Sequence, residues 1–276
     1  MGQSAPLEPA APSGYVEDGA FDNEEVYRAW ASDYYSPLTQ RLYDRSVHRM
    51  LQQLAPPPGG MVLDAGCGTG VHSVRAARAG FRVQGVDVSR VALSIALQNA
   101  REEGVAERIR YSRADLTRLP FADASFDAVF SWGVVVHIPD VDLAVRELVR
   151  VLKPGSRIAL QVTNHRAIDN VVEGAVRKVL GRNVGRSRSE YGVGWWCQMF
   201  GGLMWNWQMN IGATIRCLDR NNCRLVHRGA VEYTEWQRHM PALPRKLTLR
   251  WNDLYNRLRL PAAIASTNLL VFEKSR

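Results

Sequence analysis

The chain has 276 residues, of which 46% are apolar and 22% charged, with a formal net charge of +8. That balance describes a folded globular chain and excludes an intrinsically disordered one. It also excludes a bundle of membrane spans, because no apolar run approaches the roughly 20 residues a span requires. The charge is unevenly distributed. Residues 1–156 carry 16 Lys+Arg against 19 Asp+Glu, a net of −3, whereas residues 157–276 carry 19 against 8, a net of +11. An excess of this kind points to an anionic partner for the C-terminal half, with a solvated basic face as the plainer alternative.

In chain order, residues 1–20 are rich in Ala and Pro and read as a disordered leader without the basic-then-apolar plan of a secretory signal. Residues 21–276 read as one domain. Glu24 to Leu54 carries a helical pattern that ends in the breaker Ala55-Pro56-Pro57-Pro58-Gly59-Gly60. Short apolar runs then alternate with amphipathic stretches. Strands are expected at Met61–Ala65, Phe81–Asp87, Ile109–Ala114, Phe126–Trp132 and Arg157–Thr163. Helices are expected at Val71–Ala79, Ser89–Glu103 and Val141–Leu152. This rhythm calls for βαβ units and a parallel sheet. From residue 164 to Asn222 no strand is evident, and two last strands are expected at Arg224–Tyr233 and Thr267–Glu273. Cys67, Cys197, Cys217 and Cys223 show no metal-ligand spacing, so no metal site is expected and a reducing, cytoplasmic setting fits.

The chemistry concentrates after the first strand. Asp64 leads into Gly66-x-Gly68-x-Gly70, a turn in which missing Cβ atoms let a ligand approach the backbone and the N-terminus of the next helix. A dinucleotide fingerprint would place Gly or Ala at position 71, where this chain has Val71. An acid directly before the turn suits a ligand with an ammonium and a sulfonium better than a pyrophosphate. Asp87 ends the second strand, where a carboxylate can hold two ribose hydroxyls; the competing reading is a charge at a helix start capped by Ser89.

The segments VLDAGCGTG, GVDVS, ADLTRLPFADASFDAVFS, VHIPD and RVLKPGSRIAL resemble, in order and spacing, the class I S-adenosylmethionine-dependent methyltransferases, and within them the small-molecule branch with quinone and sugar methyltransferases. The resemblance covers residues 25–165. It implies an α/β fold, a doubly wound seven-stranded, mostly parallel Rossmann-like sheet whose last strand is antiparallel, with a helical lid inserted after the fifth strand. It implies S-adenosyl-L-methionine as cofactor: Asp64, Gly66, Gly68 and Gly70 around its methionine part, Asp87 on the ribose, Asp115 and Leu116 about the adenine. Ser131 and Trp132 would face the reacting methyl, and Tyr34 or Tyr35 would close over the cofactor.

His137 and His165 lie on the rim where open α/β sheets bind ligands, and each is a candidate base for a hydroxyl acceptor; a structurally satisfied His is the competing reading. Segment 164–223 is expected to form the acceptor-side lid. It holds Tyr191, Trp195, Trp196, Phe200, Trp205 and Trp207, with Gly192 and Gly194 as candidate hinges. The expected function is methylation of a small-molecule, anionic or lipid-linked acceptor, foremost on oxygen, with carbon or nitrogen as variants and peripheral membrane contact as a corollary. RNA methylation and non-catalytic cofactor binding are the alternatives. Nucleic acid is not favoured, because no Asn-Pro-Pro-Tyr or Asp-Pro-Pro-Tyr grip for an extruded base is present.

Overall fold

Seven strands form the central sheet of this computed structural model, which describes Asp22, Glu24, Tyr27 and residues 36–180, 186–199, 202–236 and 240–276. The expected leader and both Tyr34 and Tyr35 lie outside the described residues, as do Arg182 and Phe200. The elements in chain order are α1 (Pro37–Leu54), β1 (Met61–Ala65), α2 (Val71–Arg78), β2 (Arg82–Asp87), α3 (Arg90–Glu102), β3 (Ile109–Arg113), β4 (Phe126–Trp132), α4 (Val141–Val151) and β5 (Leu152–Thr163). They continue with α5 (Ile168–Val179), β6 (Arg186–Ser189), β7 (Gly192–Met199), β8 (Gly202–Met209), α6 (Ile211–Arg220), β9 (Cys223–Glu232), α7 (Ala242–Arg257) and β10 (Thr267–Lys274).

The sheet order is β3-β2-β1-β4-β5-β10-β9. β1 pairs in parallel with β2 and β4, and β10 runs antiparallel to both β5 and β9. The strand order reverses between β1 and β4, so the crevice beyond their C-terminal ends is the place where such sheets take ligands. Strand residues alternate between two cores. Val62, Ala128, Phe130 and Trp132 face α1 and α2, while Leu63 and Val129 face α4, α6 and the Trp-bearing strand β8.

Helix α1 has its own start. Ser36 Oγ accepts the Thr39 N–H and Pro37 opens the first turn, so the continuous helix expected from Glu24 is corrected to one beginning at Pro37. β5 begins at Leu152, earlier than expected, because it runs on directly from α4.

The insertion after β5 differs most from expectation. It contains α5, but its Trp- and Gly-rich part pairs as the three-stranded antiparallel sheet β6-β7-β8 rather than staying strandless. Its glycines are not hinges. A Cβ on Gly194 would stand 2.2 Å from the Trp205 ring and 2.7 Å from the Trp207 ring, and one on Gly192 2.0 Å from the Gln208 carbonyl. Gly194 makes room for indoles on the neighbouring strand, and Gly192 for its backbone.

Candidate functional site: the glycine turn and the rim of the sheet

β1 carries Asp64 to the crevice, and the N–H groups of Gly66 and Cys67 both donate to the Val86 carbonyl, at 2.8 and 2.9 Å, which ties the turn to β2. Gly66, Gly68 and Gly70 have φ of +82°, +52° and +76°, a region that favours glycine. Their surroundings differ. A Cβ on Gly66 would lie 2.4 Å from the Val134 side chain and one on Gly70 2.3 Å from Tyr111 Oη, whereas one on Gly68 would meet no atom within 4 Å. The outer glycines allow close packing; the middle one opens onto space. Helix α2 starts here without a side-chain cap, so its first N–H groups are available to a ligand.

A buried carboxylate and a half-buried one flank the turn. Asp64 is 1% exposed, and Ser73 Oγ donates to its Oδ2 at 2.6 Å. Burial pushes its carboxyl up to about 7 and the neighbouring Asp87 adds to this, against the lowering effect of Ser73. Asp87 accepts the Gly68 N–H at 2.8 Å and the Ser89 N–H at 3.0 Å, and burial raises it too in spite of those donors. Neither forms an ion pair among the described residues. A site that holds two acids, one of them buried, without a cation among the described residues suits a ligand that brings positive charge and hydroxyl donors.

A pH dependence follows from Asp64. Its folded-state value lies above the ordinary carboxylate value of 3.8. The folded protein therefore holds the proton more tightly than the unfolded chain does. The stability this contributes is complete below pH 3.8 and is lost as pH rises to about 7. A cationic ligand needs the ionised form, so its affinity is expected to climb between about pH 6 and 7.5. Calorimetric titration across that range checks this; a flat profile in the native chain, or the same slope in Asp64→Asn, would contradict it.

Two N-terminal residues that belong to no sequence motif share the same corner. Asp22 Oδ1 accepts the Arg90 N–H at 2.7 Å and the Ser89 hydroxyl at 3.1 Å, holding the first turn of α3. Tyr27 is buried beside Ser89 and Asp87, and burial raises its phenol. The tyrosines expected over the cofactor, Tyr34 and Tyr35, lie outside the described residues; Tyr27 is a described tyrosine at the Asp87 corner.

In the loop after β3, Asp115 Oδ1 accepts both the N–H and the hydroxyl of Thr117 at 2.8 Å. Leu116 is buried in the core with Ala114 and Leu119, so its side chain forms the wall behind that loop.

At the end of β4 the hydroxyl of Ser131 is buried without a hydrogen-bond partner, an orphan that a ligand could satisfy. Trp132 is turned to the opposite face, 4.9 Å from the His72 ring and 6.0 Å from Tyr43. Its ring fills the α1 side of the sheet. His72 is neutral there, with burial pulling it down to about 3.

β8 fixes both rim histidines. His137 Nδ1 lies 3.0 Å from the Trp205 carbonyl, His165 Nδ1 lies 2.9 Å from the Met209 carbonyl, and between them Thr163 donates to the Trp207 carbonyl at 2.6 Å. A carbonyl only accepts, so each Nδ1 carries a hydrogen and Nε2 is the ring nitrogen turned away from β8. The turn Val134–His137 sits on the glycine turn through the contact between Val134 and Gly66. His165 is anchored further along, at the end of β5, by its backbone N–H as well as its ring.

The indoles form an edge-to-face series, Trp196 to Trp205 at 5.5 Å and Trp205 to Trp207 at 5.1 Å. Trp207 Nε1 donates to the Ile138 carbonyl at 2.9 Å, next to His137. Trp205 and Trp207 are thus core residues that seat the insertion on the sheet. Trp205 Nε1 is buried with no acceptor. Trp195 lies under the Arg186 guanidinium at 4.4 Å.

The strand order, the Asp-then-glycine turn and the acid ending β2 define a doubly wound α/β domain of the methyltransferase type. Residues 63–160 match the methyltransferase domain family. Methyltransferase GfsG of Streptomyces halstedii is 39% identical over 118 residues, 42% of this chain and 42% of that protein. The 27-O-demethylrifamycin SV methyltransferase of Amycolatopsis mediterranei is 37% identical over 123 residues, 44% of each. The chain thus spans less than half the length of these two relatives. The crystal structure of the [4+2]-cyclase SpnF superimposes with a TM-score of 0.59 at 23% identity, covering 84% of this chain and 81% of that one. These matches make the chain similar to methyltransferases over residues 63–160 and over less than half of each named relative.

Proposed function

We propose that the chain transfers the methyl group of S-adenosylmethionine to a hydroxyl of a small-molecule acceptor, with segment 164–223 as the lid over that acceptor. The observation that carries this reading is His137. Its ring is held by a carbonyl of the insertion, one short turn from the residue that packs on Gly66, so its Nε2 belongs to the rim between cofactor turn and lid. The relative named for 27-O-demethylrifamycin SV supports oxygen as the acceptor atom.

The cofactor supplies a methyl group on a sulfonium. In this reading Asp64 faces its ammonium, Asp87 accepts from both ribose hydroxyls with Tyr27 beside it, and Asp115 and Leu116 border the adenine. Gly68 leaves the backbone open to it, and the Ser131 hydroxyl gains a partner. The acceptor hydroxyl gives its proton to His137 Nε2 as the oxygen–carbon bond forms and the carbon–sulfur bond breaks. Much of the rate comes from holding oxygen, carbon and sulfur in line, which is worth several kcal/mol, up to roughly 7–11 in well-aligned systems. His165, tied down by two bonds to Met209, serves the acceptor pocket.

No helix among the described residues is long and apolar enough to cross a membrane. With Cys67, Cys217 and Cys223 buried as free thiols, we place the protein in the cytoplasm.

The test is incubation of the full chain with methyl-labelled cofactor and fractionated extracts, followed by mass analysis of the labelled product. An O-methylated small molecule is expected. Label on carbon or nitrogen would overturn the oxygen assignment, and cofactor binding without any transferred label would overturn catalysis.

A further inference from the structure

Helix α7 buries Leu249 and Tyr255 together with two polar side chains and leaves a second apolar face outside. Its inward face carries Asn252 and Asn256, both almost wholly buried. The Asn252 side-chain oxygen accepts the N–H groups of Tyr233 and Thr234, and the Asn256 amide donates to Ser46 Oγ and the Ala230 carbonyl. Its outward face carries Leu243, Leu247, Trp251, Leu254 and, just past its end, Leu258, at spacings that keep them in one stripe. These five are 42–71% exposed. Scattered exposed leucines are ordinary; a continuous stripe on a helix that buries two asparagines marks a surface that meets something apolar.

Lys246, Arg250 and Arg257 line one edge of that stripe, at spacings of four and seven residues. All three are exposed, and none forms an ion pair among the described residues. An apolar stripe with Leu and Trp beside a row of cations is the pattern of a helix lying in the plane of a membrane surface. A second exposed apolar run lies on another helix. On α5, Ile168, Val171, Val172, Val176 and Val179 are 42–85% exposed, and the first turn of α5 is tied to the loop before α7 because Asp169 accepts the Glu235 N–H beside the half-exposed Trp236.

We infer that the outward faces of α7 and α5 dock the protein on an anionic phospholipid surface. Charge selects this occupant over a second copy of the chain. A two-fold contact through α7 would bring both rows of Lys246, Arg250 and Arg257 together, in a half of the molecule with a net of +11. An anionic bilayer takes the leucines into its acyl boundary and the cations at its headgroups. The inference stands apart from the acceptor assignment: a protein docked in this way has access to acceptors dissolved in the lipid, but docking does not require that they be methylated on oxygen.

The test is cosedimentation of the full chain with vesicles of phosphatidylcholine alone and of phosphatidylcholine mixed with phosphatidylglycerol. Binding is expected only to the mixed vesicles, with release as salt is raised. Lys246→Gln with Arg250→Gln and Arg257→Gln should lower the partition roughly a hundredfold, at about fivefold per cation. Leu243→Ser with Leu247→Ser and Leu258→Ser should remove binding without weakening the charge contribution. Cofactor affinity, measured by calorimetry, should stay native in both triple variants, which separates lost docking from lost folding. Failure to bind anionic vesicles at low salt would overturn the inference. So would unchanged partition of either variant, or a stable dimer in light scattering that the serine variant dissociates.

Discussion

His137→Ala is expected to lower transfer to a hydroxyl acceptor by about 10²–10⁴, the usual worth of a positioned general base, while leaving cofactor affinity near native. The two readouts separate because the imidazole touches the insertion rather than the carboxylates of the cofactor turn. Alanine also removes the bond from Nδ1 to the Trp205 carbonyl, which could shift β8. His137→Asn addresses this: its amide can still donate to that carbonyl but offers no basic nitrogen. A base role predicts that both variants are slow even at saturating cofactor. A positioning role predicts that asparagine restores most of the activity. If both variants keep activity within a few-fold, the acceptor loses its proton without His137, and nitrogen or carbon becomes the better acceptor. His165→Ala, two bonds from β8 but further along the rim, should cost less and act mainly on acceptor KM.

The sequence was most legible where one chemical need dictates both residue type and spacing. Asp64, the three glycines and Asp87 are required together by a turn that must pack on β2 and still admit a ligand, and the structure sets them around one corner. The rhythm of β1 to β5 was legible because the central strands β1 and β4 are buried on both faces and the helices between strands are amphipathic. Legibility failed where tertiary contacts choose between equal local patterns. Trp132 is apolar at a strand end, and only the pleat decides that its ring joins Tyr43 and His72. The indoles of β7 and β8 alternate with small and polar residues without a turn signal strong enough to announce a hairpin. Gly194 looks like a hinge until Trp205 and Trp207 are seen above it. In α7 apolar residues lie on both the buried and the outward face, so periodicity alone does not say which face meets the core. Tyr27 and Asp22 carry no motif; only the fold brings them to Ser89.

Asp87→Ala is expected to weaken S-adenosylmethionine binding by about 10²–10⁴. Hydrogen bonds to a charged group contribute about 1.5–3 kcal/mol each, and two ribose hydroxyls share this carboxylate in the proposed pose. The same substitution releases the Gly68 N–H, so the turn would also lose the bond that fixes its open position. Stability should respond differently. Burial raises the Asp87 carboxyl, so the ionised group is less favourable in the folded protein than in the unfolded chain, and that penalty grows as pH rises through the folded-state value. Removing the group removes the penalty but orphans two backbone donors. Thermal unfolding of the cofactor-free variant should therefore change by far less than its affinity does, and should lose part of its decline toward higher pH. Asp87→Asn should not rescue binding, because its amide must turn an N–H toward one of the two N–H groups that the carboxylate now accepts. A variant that binds the cofactor within a few-fold of the native chain would reduce Asp87 to a clamp on Gly68 and Ser89. A variant that loses binding only by unfolding would likewise leave Asp87 as a clamp, and circular dichroism run beside the calorimetry distinguishes the two.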